Sequence, residues 1–330
     1  MNIIFDGNYL FHKTKAVFQM MKEKELGEDV NMTELFADKE SQAQFFRKLI
    51  IDFCNTVRIF DEVTRVIFVF DNPSWRKVKH PFYKSKEKDE LQKMLDKEDE
   101  EGVTTFYNLM DKMVKHLTKM GFPVSKILDF EGDDLCFFYA KHYSEIGEKS
   151  IIISGDKDLL QFMDQNIGVY RNNSMAPAYF CVEDSYVSHV GETIQEKYPR
   201  TVLTEVDPDK HTILKMLAGD TGDNVPNLFR GLGKKTAENI YDEMVKRGLE
   251  VPNFSDLDYL VTVSEIVKES SKKAPSIEEI QSNLLTNLDL MWLNEAVYTE
   301  EQLLVASIEV LDKYDTYDFK GEFTILDVLK

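Results

Sequence analysis

Nine carboxylates recur in tight groups along the chain, and their grouping suggests metal chemistry. These acids are Asp6, Asp71, Glu131, Asp133, Asp134, Asp156, Asp158, Asp220 and Asp223. Carboxylates that converge on one place repel one another unless something positive compensates for them. No matching set of lysines and arginines is interleaved among these groups. Because oxygen-only ligands suit hard divalent ions, the sequence predicts a site for two Mg²⁺ ions, with Mn²⁺ as a substitute.

Each acid taken singly also has a structural interpretation. A carboxylate ahead of a helix can cap the free N–H groups of its first turn. The stretch 131–134, for example, directly precedes an apolar helical run. Taken together, the acids instead favour phosphodiester hydrolysis, in which two ions hold the phosphate, activate water and stabilise the leaving oxygen. No Gly-x-Ser-x-Gly elbow, Walker-type phosphate loop or Cys/His cluster indicates another chemistry.

The elements that must position these acids alternate between strands and helices. Apolar runs at 2–5, 66–70 and 151–154 are each followed by a carboxylate, and they are typical of buried parallel strands. Helical patterns cover 41–58, 104–120, 133–146, 209–219 and 234–247. This alternation predicts an α/β fold with a mainly parallel central sheet flanked by helices. Ligand sites in such folds gather beyond the carboxyl ends of the strands, where these acids fall.

The net charge of −19 is unexpected for a protein that binds phosphate, but the charge is segregated. Residues 251–330 alone contribute about −10. Basic residues concentrate elsewhere: Arg76, Lys77, Lys79, Lys84, Lys86 and Lys88 in one segment, and Arg230, Lys234 and Lys235 in another. The charged stretch 73–101 lacks a wide apolar stripe. It is either a solvated loop or exposed helix, or a mobile basic arch above the site.

Composition also bears on the compartment. No apolar run approaches the ~20 residues of a membrane span, and the first residues lack a secretory pattern. The three cysteines lie far apart, without metal-type or disulfide-type spacing. We expect a monomer in a reducing cytoplasm, with no membrane contact.

Four motifs resemble those of the 5′ nuclease (flap endonuclease) superfamily, particularly its stand-alone phage-type enzymes. They are Glu131-Gly132-Asp133-Asp134, Ser154-Gly155-Asp156-Lys157-Asp158-Leu159-Leu160-Gln161, Gly219-Asp220-Thr221-Gly222-Asp223-Asn224-Val225-Pro226 and Gly231-Leu232-Gly233-Lys234-Lys235-Thr236-Ala237. The family's counterparts are Glu-Ala-Asp-Asp, Thr-Gly-Asp-Arg-Asp-Leu-Leu-Gln, Gly-Asp-Ser-Ser-Asp-Asn-Ile-Pro and Gly-Ile-Gly-Pro-Lys-Thr-Ala. The similarity covers about 1–247. Each motif alone is weak, whereas four in the same order are specific.

The resemblance implies a role for each acid. The first metal site would comprise Asp6, Asp71, Glu131, Asp133 and Asp134, with Asp156 near both ions. The second would be completed by Asp158, Asp220 and Asp223. Tyr83 and Lys84 match the Tyr-Lys pair at the base of the family's helical arch. There Lys84 would contact the scissile phosphate and act in catalysis with Asp6, Asp71 and Asp156, while Tyr83 would stack on the adjacent base.

The Gly231-Leu232-Gly233 segment has a physical meaning of its own. Glycines let backbone N–H groups and a helix N-terminus face a phosphate, and the following lysines add charge. The alternative is a plain packing corner between two helices. The resemblance implies a DNA-binding helix–three-turn–helix element that holds a K⁺ ion through backbone carbonyls, although 227–230 is one residue longer than the family spacing. The predicted DNA-binding residues are Arg76, Lys79, Tyr83, Lys84, Lys86, Lys88, Arg230, Gly231, Gly233, Lys234, Lys235 and Thr236.

We therefore expect a stand-alone, Mg²⁺-dependent 5′→3′ exonuclease and flap endonuclease. The resemblance implies substrates with a 5′ flap, nick or free 5′ end, RNA·DNA hybrids, and work beside replication proteins. We expect a nuclease core at 1–205, with the arch at 73–101, and a helical region at 206–330, with the DNA-binding element around 219–247. The alternatives are a PIN-like ribonuclease and a non-catalytic DNA-junction-binding protein. The acids count against the latter, because phosphate binding needs none of them.

Overall fold

The computed structural model describes residues 1–85, 100–173 and 176–316, and these residues form a seven-stranded sheet covered by helices. The strands are β1 (Asn2–Asp6), β2 (Arg65–Val69), β3 (Val124–Ser125), β4 (Ser150–Ile153), β5 (Ile167–Arg171), β6 (Ala178–Cys181) and β7 (Val202–Glu205). Their order across the sheet is β3-β2-β1-β4-β5-β6-β7. Neighbouring strands run parallel except for β5 and β6. The predicted mainly parallel sheet is thus confirmed.

Where the sequence shows an apolar stripe, the bounds of the helices agree closely with the predicted ranges. They are α1 (Gly7–Leu26), α2 (Met32–Leu35), α3 (Lys39–Val57), α4 (Trp75–Lys79), α5 (Glu100–Lys119), α6 (Gly132–Glu145), α7 (Ser188–Lys197), α8 (Pro208–Ala218), α9 (Lys234–Lys246), α10 (Leu257–Ser270), α11 (Ile277–Met291) and α12 (Glu300–Thr316). Short 3₁₀ helices lie at Asp158–Phe162 and Glu295–Val297. The five predicted helices correspond to α3, α5, α6, α8 and α9.

The sheet register brings the strand-terminal acids together. β1 lies between β2 and β4, and Phe5 is aligned with Phe68 on one side and with Ile153 on the other. Three neighbouring strands therefore end at the same edge, with Asp6 at the end of β1. The chain leaves β2 towards Asp71 and β4 towards Asp156 at that edge. This arrangement follows from parallel pairing, because parallel strands share one carboxyl edge.

Three hydrophobic clusters support this edge. The first packs α1, α3 and α5 on one face of the sheet, and the second packs α6 on the other face. The third joins α8, α9, α10 and α11, and it includes Tyr83 from the segment that follows α4. Ala306 and Val310 of α12 belong to the cluster of α6, so the last described helix packs on this face of the sheet domain.

Much of the predicted arch, including Lys86 and Lys88, lies outside the described residues. The first part of the predicted arch forms α4 and a turn over 81–84. The three cysteines are free and buried. Among the described helices, none combines the length and apolar character that a membrane crossing would require.

Candidate active site

Four carboxylates at the sheet edge influence one another electrostatically: Asp6, Asp71, Asp133 and Asp156, termed here the repelling group. Burial, and then the charge of Asp71, raises the pKa of Asp6 to about 7. Burial, and then the charges of Asp156 and Asp6, raises the pKa of Asp133 well above its usual value. Such shifts mean that the charged forms are unfavourable while no further cation is bound.

Local hydrogen bonds fix the carboxylates of this group. Asp6 accepts a hydrogen bond from the Tyr9 backbone N–H (2.9 Å), which caps α1, and another from Ser154 Oγ (2.7 Å). Asp71 Oδ1 accepts one from the Gly132 N–H at the start of α6 (2.6 Å). Asp6 and Asp71 therefore each bind the N–H of a residue in the first turn of a helix while they belong to the repelling group.

Asp158 and Asp220 are joined by a residue that the sequence patterns did not single out. Lys215 Nζ lies 2.6 Å from Asp158 Oδ1 and 2.7 Å from Asp220 Oδ2, and the two acids are termed the lysine-bridged pair. Burial and the charge of Asp156 raise the pKa of Asp158 to about 6, although Lys215 opposes the rise. Burial would also raise the pKa of Asp220, but Lys215 lowers it below its usual value. Lys215 lies in the last turn of α8, and that position was the available signal.

Asp134, a predicted metal ligand, has its carboxylate engaged by other protein groups in the structure. Its side chain is fully buried, and Arg76 Nη1 lies 2.7 and 2.8 Å from its two oxygens. The Tyr298 hydroxyl donates to Oδ1 (2.7 Å) and the Glu131 N–H to Oδ2 (2.9 Å). Asp134 is therefore committed to a buried ion pair and to the capping box of α6.

Two predicted DNA contacts at the base of the arch, Arg76 and Tyr83, are buried in the structure. Arg76 is 1% exposed, because it is the partner of Asp134, so it cannot reach a phosphate. Tyr83 is 5% exposed, and its hydroxyl donates a hydrogen bond to Glu131 (3.3 Å). The neighbouring Phe82 is 40% exposed.

Lys84 lies between two of the predicted ligands. Its Nζ is 3.1 Å from Glu131 Oε1 and 4.0 Å from Asp223 Oδ2. Burial lowers the pKa of Lys84, but the acidic groups around it, Glu131 first among them, together raise it well above its usual value, so the amine stays charged. Burial likewise raises the pKa of Glu131, whereas Lys84 and Arg76 bring it below its usual value.

In the predicted DNA-binding element, residues 219–233 join α8 to α9. Gly231 has a φ of +98°, which residues with a side chain rarely adopt. Gly233 precedes α9 without a side-chain cap. Arg230, Lys234 and Lys235 are exposed, whereas Thr236 is half-buried. Lys79, on α4, is exposed and pairs with Asp289 (2.6 Å).

Two backbone carbonyls of the predicted DNA-binding element accept hydrogen bonds from asparagine amides. Asn227 Nδ2 donates to the Leu232 carbonyl (2.7 Å), and Asn283 Nδ2 donates to the Leu228 carbonyl (3.0 Å). These two oxygens are therefore satisfied by the protein itself.

Within residues 1–85, 100–173 and 176–316, no three Asp, Glu, His or Cys side chains form a group that could hold a metal ion as it stands. The acids interact through their charges without forming a finished ligand set. The raised pKa values of Asp6 and Asp133 still fit carboxylates that gain from a bound cation.

Residues 2–198 match the family model of the 5′-3′ exonuclease N-terminal resolvase-like domain. The chain belongs to this family. The predicted membership of the 5′ nuclease superfamily is thereby confirmed.

This family member is similar to curated proteins of different lengths. It is 28% identical to DNA polymerase I of Rhizobium leguminosarum over 50% of this chain and 13% of the polymerase. It is 24% identical to a 5′-3′ exonuclease of Mycoplasmopsis pulmonis, covering 96% of this chain and 90% of that protein. The chain thus spans about an eighth of the length of the polymerase relatives that it matches.

The fold is shared with a solved structure from bacteriophage T5. That structure is a flap endonuclease in a pseudo-enzyme–product complex with DNA and metal ions. The TM-score is 0.57 at 17% identity, and the match covers 95% of this chain and 99% of the other. At this identity the likeness establishes the fold alone.

Proposed function

We propose that this protein is a divalent-metal-dependent 5′ nuclease that hydrolyses phosphodiesters near a 5′ end, nick or flap in DNA, and in RNA·DNA hybrids. The observation that carries the proposal is the repelling group at the carboxyl edge of the sheet. Binding DNA would not require these acids, because they repel phosphate. A non-catalytic junction-binding protein would have no use for them.

Mg²⁺ is the proposed ion and Mn²⁺ its substitute. Asp6, Asp71, Asp133 and Asp156 would hold one ion. A second ion would be held by Asp158, Asp220 and Asp223, after the Lys215 amine has moved away from Asp158 and Asp220. When bound, the ions would polarise the phosphodiester and lower the pKa of water. Glu131 stays a predicted ligand whose carboxylate already accepts a hydrogen bond from Lys84 (3.1 Å). K⁺ stays a predicted ion for backbone carbonyls of the segment that joins α8 to α9.

The chain's own residues would orient the substrate. Lys84, fixed between Glu131 and Asp223, would offer a positive charge to the phosphate as negative charge develops on it. The exposed Arg230, Lys234 and Lys235 would grip the backbone of the duplex without reading its sequence. We assign catalysis to residues 1–205 and duplex binding to the element around 219–247.

We place the reaction in the cytoplasm during DNA replication or repair, with the protein acting as a monomer beside replication proteins. Free, buried cysteines suit a reducing compartment.

Cleavage assays on defined substrates test the proposal. A 5′-flap duplex, a nicked duplex, an RNA·DNA hybrid and single-stranded RNA are incubated with Mg²⁺, with Mn²⁺ and with EDTA. We expect cleavage near the 5′ end of the first three, and only with a divalent ion. Cleavage of single-stranded RNA alone would favour the PIN-like ribonuclease. Tight flap binding without cleavage at any metal concentration would favour the junction-binding protein.

A further inference from the structure

Two residues far apart in sequence have the same unusual backbone conformation where they meet. Lys84 has a φ of +49° and Asn224 a φ of +63°. Asparagine tolerates this left-handed region because its short polar side chain can bond locally, whereas lysine rarely adopts it. A strained residue keeps such a conformation only when its surroundings hold it there.

The surroundings of Lys84 are supplied by the segment that contains Asn224. The Lys84 backbone N–H donates to the Asp223 carbonyl at 2.8 Å. Asn224 Nδ2 donates to the Phe82 carbonyl at 3.1 Å and to Ser85 Oγ at 2.9 Å. Three hydrogen bonds thus bracket Lys84 on both sides in the chain.

The segment that makes these bonds is itself held in a turn by backbone hydrogen bonds. The backbones of Asp220 and Val225 exchange two hydrogen bonds, of 3.0 and 2.7 Å, which place Asn224 in a tight turn. The same turn contains Asp220 of the lysine-bridged pair and leads towards Gly231 and the DNA-binding helix α9. The Asn224 amide therefore lies between the duplex-binding element and the base of the arch.

We propose that Asn224 is a positioning residue that holds Lys84 in its left-handed conformation and so directs the Lys84 amine towards Glu131 and Asp223. The inference rests on the proposed function, because that function assigns to Lys84 the contact with the reacting phosphate. Asparagine is required chemically, since the amide donates to two acceptors at once. An aspartate of the same shape would present an oxygen to the Phe82 carbonyl and lose that bond, while the Ser85 hydroxyl could turn and donate to the carboxylate.

Asn224→Gly isolates the amide, because glycine adopts a positive φ without strain. We expect the Lys84 backbone N–H, followed by hydrogen exchange in DNA-free protein, to lose its protection. The single-turnover rate on a 5′ flap should fall by roughly tenfold to a hundredfold, the range expected for a misplaced catalytic group. Flap affinity should change by less than about threefold, a split that general destabilisation would not give.

Three further variants control the experiment. Asn224→Asp should act in the same direction, and Ser85→Ala, which removes only one of the two acceptors, more weakly. Asn227→Asp, which loses an amide bond to Leu232, should leave the protection of Lys84 unchanged.

Retained protection of Lys84 in Asn224→Gly would overturn the proposal. Lost protection with an unchanged cleavage rate would support the positioning contact and overturn the catalytic part of Lys84. The two failures are therefore distinguishable.

Discussion

Two neighbouring sets of carboxylates at the sheet edge differ in how their charge is balanced. In the lysine-bridged pair, Lys215 contacts both acids, so the charge is met by a side chain that is always present. In the repelling group, burial and mutual charge raise the pKa values of Asp6 and Asp133. A built-in cation stabilises the fold, whereas uncompensated acids weaken it and favour binding of an external cation.

The same contrast separates adjacent residues on α6. Asp133 belongs to the repelling group, while Asp134 pairs with Arg76 in the interior. The two side chains point from successive positions of one helix, so they face different surroundings. Identical substitutions at these positions should therefore have opposite effects on stability.

The largest effect is expected for Asp133→Asn. Loss of one carboxylate from the repelling group should reduce cleavage by about 10³-fold or more, because a metal ion contributes several kcal/mol to such reactions. The same substitution should raise the melting temperature in EDTA, because it removes a repelling charge. Single-turnover cleavage and thermal unfolding measure the two effects. A lower melting temperature in EDTA would show that the acids do not repel one another.

Asp134→Asn is the matched control. It should lower the free energy of unfolding by about 3–5 kcal/mol, because Arg76 would be left buried without its partner. Denaturant unfolding measures this loss. If Asp134→Asn proves as stable as the wild type while its metal affinity falls sharply, Asp134 is a ligand after all.

Asp133 and Asp134 also show how much of the site could be predicted from the sequence. Strand-end positions of Asp6, Asp71 and Asp156 were predictable, because parallel strands share an edge. The partners of Asp134 were not, since Tyr298 is separated from it by 164 residues and no local pattern connects them. The sequence patterns also missed helices and strands whose apolar residues do not recur at a clear period. The strand β7 is largely exposed, and α1 buries only a narrow stripe.

Lys84→Ala should have the next largest effect. Unlike Lys215, Lys84 lies where the scissile phosphate is proposed to bind, so its charge should stabilise the transition state. We expect the single-turnover rate to fall by roughly 10²-fold, with a much smaller change in affinity. Lys79→Ala is the control, because Lys79 is exposed, and it should affect affinity more than rate. Equal effects of the two substitutions would reduce Lys84 to an electrostatic guide.

The pH dependence of the free energy of unfolding also tests the repelling group, and the expected effect is smaller. The pKa of Asp6 rises from 3.8 to about 7 on folding, so the folded protein binds a proton that the unfolded chain has lost. The contribution of Asp6 to stability is therefore complete below pH 4 and is lost as the pH rises through 7. In EDTA, Asp6→Asn should match the wild type near pH 4 and be more stable than it at pH 8.

Divalent ions should reverse this trend, because they bind the deprotonated carboxylate. The wild-type melting temperature should rise more with Mg²⁺ at pH 8 than at pH 5.5, with apparent affinity changing about tenfold per pH unit below 7. Thermal unfolding with and without Mg²⁺ measures this. A Mg²⁺ effect independent of pH would place the bound ion away from Asp6.

The smallest effect is expected at the exposed lysines of the DNA-binding element. The side chain of Lys234 is 87% exposed, against 18% for Lys84, so it can act on DNA only through its charge. Such contacts release counterions, and each one adds about one unit to the dependence of log affinity on log salt concentration. Lys234→Ala with Lys235→Ala should therefore lower the slope by roughly two and weaken flap binding by about tenfold at low salt, while bound substrate is still cleaved at the wild-type rate. Binding of a flap duplex at several salt concentrations gives the slope. An unchanged slope would mean that the corner between α8 and α9 serves packing alone, and that the duplex is gripped elsewhere.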